Sequence, residues 1–445
     1  MKIMFISLGC DKNLVDTEMM LGILAEQGFT FTDAEEEAEA VIVNTCCFIN
    51  DAKEESINTL LEMAELKKSG QLKALIAAGC LAERYREEIQ KEIPEVDAIL
   101  GTMAIEQVAE ALNGVLAGEG KNHYRDRNAV PVYGKKRIVT TGGHYAYMKI
   151  AEGCDKHCTY CIIPKVRGNY RSIPMESLIK EAEELAERGV KELILVAQET
   201  TLYGLDIYGK KRLPELLTNL AAISGIYWIR ILYCYPEEIT EELIEVMKRE
   251  EKVCHYLDIP IQHASDRVLK RMGRRTSRAE LESIIEKLRR EIPDICLRTT
   301  LIAGFPGETD EDHGELLDFA EKMQFDRLGA FTYSQEEGTP AAAMEEQVEE
   351  TVKEARRAEL MELQQQIAFA KAEDTVGRIL TVMVEGKIAD EDVYVTRTYK
   401  DAPEVDGYLF LNSTAELMTG DFVKVQVTGS NEYDLTGEIY HEFTE

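Results

Sequence analysis

The chain has 445 residues, 45% hydrophobic and 30% charged, with ten cysteines and a formal net charge of −31. That length accommodates about three domains, each with its own core, and no apolar run approaches the roughly 18 residues of a membrane span. The acidic balance argues against a protein built to grip nucleic acid and leans toward a basic partner.

The first strand-like run, KIMFISL, ends just before Cys10. Too few residues precede that cysteine for a charged region plus an apolar leader, so lipid attachment is not expected and the chain is assigned to the cytoplasm. Thiols there stay reduced, and clustered cysteines more often bind metal or do redox chemistry than form disulfides. A helical segment begins near Asp16. AVIVNT then leads to Cys46 and a helix from about Asp51, LKALIAAG leads to Cys80 and the helix LAERYREEIQ, and VDAILGT followed by AIEQVAEAL adds a fourth unit without a cysteine. Apolar runs alternating with helical periods predict an open parallel α/β sheet over residues 1–117. Its three cysteines fall at the C-terminal strand ends, where such sheets place ligands.

A polar linker, residues 118–140, carries Lys121, Arg125, Arg127, Lys135, Lys136 and Arg137. Over 141–373 a second α/β series follows, with strands near YAYMKI, ELILVA, WIRILY, YLDIPI, ICLRTTLIA and DRLGAFTY. Six βα repeats suit a partial (βα)6 barrel rather than a closed eight-stranded one, with active residues at the C-terminal strand ends. A charged helix from about Ala343 to Glu373 leads into residues 374–445, whose five short strands predict a small antiparallel β-barrel of OB-like type. From Thr375 onward this barrel holds 14 acidic against 5 basic residues, about −9, which opposes nucleic-acid binding.

The sharpest motif is GCDKHCTYC, Gly153 to Cys161, at the end of the central domain's first strand. Its C-x3-C-x2-C spacing brings three thiolates into one loop. Structural zinc would want four ligands, with His157 as the fourth; a 4Fe–4S cluster on three cysteines keeps one iron open for a substrate. Cys10, Cys46 and Cys80 form a second set of three at equivalent points of successive βα units. Singly, each would read as a small packing residue; together they can converge on one sheet edge. Cys234, Cys254 and Cys296 lie in or beside strands and read as core residues.

CDKHCTYC resembles the signature of radical S-adenosylmethionine enzymes. The resemblance implies that Cys154, Cys158 and Cys161 hold a 4Fe–4S cluster whose open iron takes the amino and carboxylate groups of S-adenosylmethionine. It also implies that Tyr160 packs near the adenine and that Glu199 meets the cofactor's amino group. Gln262, with His263 and Ser265, and Gly304, with Gly307, fall after the fourth and fifth strands as further cofactor contacts; small residues there permit close approach of a ligand. No catalytic side chain is assigned beyond the two cluster sets.

The full chain resembles the methylthiotransferases, whose terminal barrel is called TRAM. SLGCDKNLVDTE, VNTCCFINDAKEESI and IPIQHASDRVLKRMGRR are most similar to the RimO-type branch, which modifies an aspartate β-carbon of ribosomal protein uS12; the sister MiaB-type branch acts on isopentenyl-adenosine in transfer RNA. The resemblance implies a second 4Fe–4S cluster on Cys10, Cys46 and Cys80. Cys46, rather than its neighbour Cys47, matches the family's N-T-C. It further implies two S-adenosylmethionine molecules, one as methyl donor and one as source of a 5′-deoxyadenosyl radical, and an external electron donor such as flavodoxin or ferredoxin. The acidic barrel favours the basic protein substrate over transfer RNA. Basic residues in DRVLKRMGRRTSR (Arg267, Lys270, Arg271, Arg274, Arg275 and Arg278) are candidates to hold the substrate carboxylate, with a solvated helix face the favoured reading.

Overall fold

The computed structural model describes residues 1–441. Strands β1 (Lys2–Ser7), β2 (Thr30–Phe31), β3 (Ala40–Thr45), β4 (Ala74–Ala78) and β5 (Ala98–Leu100) form a parallel sheet in the order β2-β1-β3-β4-β5. Every residue of β3 and β4 is buried, as expected for small and branched apolar runs covered by helices on both faces. Helices α1 (Asp11–Glu26), α2 (Asn50–Lys68) and α3 (Gly79–Tyr85) start at the C-terminal ends of β1, β3 and β4.

Two boundaries differ from the sequence reading. Helix α1 begins at Asp11 rather than near Asp16, because extended Cys10 serves as its N-cap and an acid occupies the favourable first turn. The third helix takes Cys80 into its first turn, stops at Arg86 (φ 45°) and restarts over Glu87–Glu92.

The central sheet contains six parallel strands, β6 (Tyr145–Lys149), β9 (Glu192–Val196), β10 (Trp228–Ile231), β11 (Val253–Asp258), β12 (Cys296–Ala303) and β13 (Arg327–Thr332), in the order β13-β12-β11-β10-β9-β6. The short antiparallel pair β7 (Ala151–Glu152) and β8 (Arg171–Ser172) brackets the cysteine loop, which the sequence reading missed. Residues 118–140 are no free tether. Arg137 is buried, donating to Glu18 Oε2 at 2.6 Å and to the Tyr147 carbonyl at 2.7 Å, and thereby fixing α1 to β6.

The long helix spans Glu350–Glu373, seven residues shorter than expected at its start. Ahead of it, the Gln347 amide donates to the carbonyls of Ala341 and Met344 and holds that segment outside helical geometry. Strands β14 (Ile379–Lys387), β15 (Val393–Thr398), β16 (Leu409–Asn412), β17 (Phe422–Asn431) and β18 (Asp434–Ile439) close in the order β14-β15-β16-β18-β17. One pairing, β16 with β18, is parallel, correcting the wholly antiparallel expectation. An odd number of strands cannot alternate direction all the way around a closed ring.

The barrel sits against the N-terminal ends of the central strands. Glu385 lies 2.8 Å from His144 Nε2, the Tyr399 carbonyl accepts from Arg230 at 2.6 Å, and Tyr399 Oη donates to the Asp294 carbonyl at 2.8 Å. The cysteine loops occupy the other end. No helix of the described residues is long and apolar enough to cross a membrane.

Candidate active site

The loops after β1, β3 and β4 are tied together by amide and hydroxyl groups. Asn13 Nδ2 donates to the carbonyls of Leu8 (2.9 Å) and Thr45 (3.1 Å), while Asn44 Nδ2 donates to the Asn13 carbonyl (2.8 Å). Ser56 Oγ closes the Cys46 loop, accepting from the Cys46 amide and donating to its carbonyl. Close approach requires glycine at two positions. A Cβ on Gly9 (φ 89°) would stand 2.6 Å from Cys46 Cβ, and one on Gly79 (φ 88°) would stand 2.3 Å from Asn44 Oδ1.

Cys10, Cys46 and Cys80 thus share one sheet edge, and their sulfurs act on one another. Burial pushes the Cys46 thiol up to about 12, with Cys80 and Cys10 adding to the rise. Burial also raises Cys80, against the opposing pull of Arg167. Cys47 points into an apolar cluster with Val43, Leu60 and Leu81. Cys234, Cys254 and Cys296 are buried in apolar cores.

In the second set, the Cys154 amide donates to the Gly168 carbonyl at 3.1 Å. Cys158 Sγ lies 3.5 Å from Tyr235 Oη. Burial raises Cys154 to about 12 and raises Cys161 strongly, the Cys158 sulfur contributing to both. Thiols held this high bind metal only with loss of a proton, which a metal supplies the energy for. Among the described residues no group of three His, Cys, Asp or Glu side chains is placed to hold a single metal ion. A four-iron cluster makes a different demand, because each cysteine binds a separate iron.

Around this loop stand polar atoms that have no partner among the described residues. Glu199 is fully buried; its Oε1 accepts from the Thr201 amide at 2.9 Å and from the Thr201 hydroxyl, while Oε2 is unsatisfied. Burial lifts its carboxyl to about 7, countered by Thr201 and Lys156. Arg274 is 8% exposed rather than solvated, correcting the helix-face reading: its guanidinium lies 4.2 Å from the Tyr235 ring centroid, Nη2 donates to the Pro260 carbonyl, and Nε and Nη1 have no partner. Arg271 instead pairs with Glu346 at 2.8 Å. An orphaned carboxylate oxygen and two orphaned guanidinium nitrogens match the ammonium and carboxylate of an α-amino acid.

Tyr160 meets Phe305 edge-on at 6.5 Å, and Phe305 meets Tyr333 at 5.3 Å. Gln262 adopts φ 72° and bridges to Leu301. His263 is buried, accepting at Nδ1 from the Ser265 amide, with Nε2 3.5 Å from Glu308. The space beside Gly304 (φ 73°) is taken by Lys353, whose Cγ would lie 2.2 Å from a Cβ there, and that beside Gly307 by Arg271.

The sequence reading overlooked a buried cation of the central domain that reaches the N-terminal cysteine set. Arg167, at 1% exposure, donates from Nη1 to Glu152 Oε1 (2.9 Å) and from Nη2 to Asn13 Oδ1 (2.6 Å) and Asp16 Oδ2 (3.0 Å), and its Nε lies 3.4 Å from Cys80 Sγ. Lys149 bonds Glu152 at 2.7 Å and also Asp16, completing a buried quartet of two cations and two anions. Arg167 and Glu152 flank GCDKHCTYC at short range, and Asp16 follows Cys10 by six residues. Lys149 and Glu152, charged residues at the ends of strands, were the available signal.

Family models match residues 2–101 (uncharacterized protein family UPF0004), 148–320 (Radical SAM superfamily) and 376–439 (TRAM domain). Together with the two cysteine loops, these define a radical S-adenosylmethionine enzyme carrying a TRAM barrel. "Ribosomal protein uS12 methylthiotransferase RimO" of Lachnoclostridium phytofermentans is 63% identical, the alignment covering 98% of this chain and 99% of that protein. The protein of that name from Acetivibrio thermocellus is 50% identical over 99% of each. The chain belongs to the RimO family of ribosomal protein uS12 methylthiotransferases. Among solved structures, the radical S-adenosylmethionine methyltransferase TsrM of Kitasatospora setae, described with cobalamin and a [4Fe-4S] cluster, shares the fold at TM-score 0.54 and 14% identity, covering 76% of each chain.

Proposed function

We propose that this chain transfers a methylthio group to the β-carbon of an aspartate on ribosomal protein uS12. The observation that carries the reading is the contact of Arg167, a buried residue of the radical domain six positions after Cys161, with the sulfur of Cys80 in the N-terminal set. Cys154, Cys158 and Cys161 would hold one 4Fe–4S cluster, and Cys10, Cys46 and Cys80 a second. With two S-adenosylmethionine molecules bound, these groups would supply a sulfur carried at the N-terminal set together with a methyl group from one molecule, and, on reductive cleavage of the other, a 5′-deoxyadenosyl radical for removal of hydrogen from the aspartate.

The chain's own residues bind and orient. Glu199 Oε2 accepts from the cofactor's amino group, and Arg274 Nε and Nη1 donate to its carboxylate. Tyr160 and Phe305 exclude water beside the adenine, with Gln262 at the neighbouring strand end. Electrons come from an external donor such as flavodoxin or ferredoxin. The barrel's charge of about −9 supports a basic protein substrate over transfer RNA.

The test is anaerobic reconstitution with uS12, following by mass spectrometry a methylthio gain on one aspartate, with transfer RNA nucleosides assayed in parallel. Cys158→Ala is expected to abolish 5′-deoxyadenosine formation, and Cys80→Ala to spare part of it while stopping methylthiolation. Undiminished 5′-deoxyadenosine from Cys158→Ala overturns the assignment.

A further inference from the structure

We infer that Arg167 is a positioning residue for the N-terminal cluster, setting its reduction potential through a charge-assisted hydrogen bond to the Cys80 ligand sulfur. The inference rests on the reading of Cys10, Cys46 and Cys80 as cluster ligands.

Three features support it. The guanidinium sits 3.4 Å from Cys80 Sγ through Nε and is held there by three other acceptors, on Asn13, Asp16 and Glu152. Its five N–H groups form a rigid fork, so fixing Nη1 and Nη2 also fixes the direction of Nε. It is buried, where a positive donor acts on a sulfur with little screening. Hydrogen bonds to ligand sulfurs and nearby positive charge stabilise the more negative, reduced state of an iron–sulfur cluster and raise its potential.

Arg167 also belongs to the other domain. It follows Cys161 by six residues, at the end of the short helix Ile163–Val166. The N-terminal set is therefore incomplete without the radical domain. Each acidic partner of Arg167 is shared with Lys149, so the quartet is neutral. Arg167, rather than Lys149, carries the contact to sulfur.

The experiment uses full-length protein in which Cys154, Cys158 and Cys161 are replaced by alanine, leaving the N-terminal cluster alone. Iron content and the paramagnetic resonance signal of the reduced state report whether that cluster forms; its absence in this parent overturns the ligand reading itself, separately from the role of Arg167. Potentiometry then compares Arg167→Lys, Glu152→Gln and the double variant Glu152→Gln/Arg167→Met. The double variant removes one anion with the cation and keeps the interior neutral, so it separates the sulfur contact from a folding defect.

The expected result is full iron loading with a potential shifted negative in the double variant relative to Glu152→Gln, and a smaller negative shift in Arg167→Lys, which keeps the charge without the fork. Equal potentials for the double variant and Glu152→Gln overturn the inference. Loss of iron from the double variant with normal loading of Arg167→Lys and no potential shift there also overturns it, leaving Arg167 a purely structural link.

Discussion

Arg397 of the barrel donates from Nη2 to Glu192 Oε2 of the central sheet at 2.7 Å, and neither residue is exposed to solvent. The other carboxylate oxygen accepts from Arg230 Nε at 2.8 Å, also fully buried. One carboxylate therefore neutralises two guanidinium groups, with Glu385 bonded to Arg397 Nε at 2.7 Å to complete the balance. Removing Glu192 would strand cations in the interior.

Glu192→Ala is expected to destabilise the protein by about 3–5 kcal/mol, the usual cost of breaking a buried ion pair from one side. Chemical denaturation followed by circular dichroism measures it. Because the triad lies at the N-terminal strand ends, the residual folded fraction should retain its iron.

Glu199 predicts a pH dependence. Burial raises its carboxyl from the ordinary 4.5 to about 7, so the folded chain binds a proton more tightly than the unfolded chain across that window. Its contribution to stability is present at low pH and is lost as pH rises toward 7. An amino group that donates to Oε2 needs the ionised acceptor, so affinity for S-adenosylmethionine should climb with pH, at most tenfold per unit, and level off above about 7. Anaerobic calorimetry from pH 6 to 8 should show that rise (roughly the window set by the shift), and Glu199→Gln should flatten it.

Gly9→Ala places a Cβ 2.6 Å from Cys46 Cβ at a backbone angle that alanine resists. The loops of Cys10 and Cys46 must then separate. Reconstituted protein is expected to lose iron from the N-terminal set while retaining the Cys154 loop's share, read by iron-to-protein ratio and by surviving 5′-deoxyadenosine formation.

Arg274→Met removes Nε and Nη1, donors without a partner among the described residues, along with the Nη2 bond to the Pro260 carbonyl. Affinity for S-adenosylmethionine should fall by about 1.5–3 kcal/mol, the range for hydrogen bonds to charged groups. Arg274→Lys keeps the charge but not the stacked plane over Tyr235, and should recover only part of the loss. Equilibrium dialysis of the reconstituted protein measures both.

Cysteine placement was legible in the sequence because it follows strand periodicity. Cys10, Cys46 and Cys80 each terminate a run of apolar residues, and parallel sheets put such positions on one edge. The six-strand order and the barrel followed from alternation in the same way. What sequence could not reveal was contact between segments far apart in the chain: Arg167 with Asn13, Arg397 with Glu192 and Lys353 with Gly304. Charged side chains carry a strong prior for solvent, and only tertiary packing converts them into buried partners. Arg274 was set on a solvated face for that reason. The parallel β16–β18 pairing was hidden for a different one, since strand direction around a ring depends on closure and not on local pattern.

The quartet of Lys149, Asp16, Arg167 and Glu152 has a kinetic consequence. Pulling the first two domains apart would expose four interlocked charges and the Asn13 hub at once, at a cost of several kcal/mol. A second clasp, Arg84 to Glu336 at 2.7 Å, holds the same pair of domains elsewhere. Turnover by a hinge that opens and shuts like a jaw is therefore disfavoured.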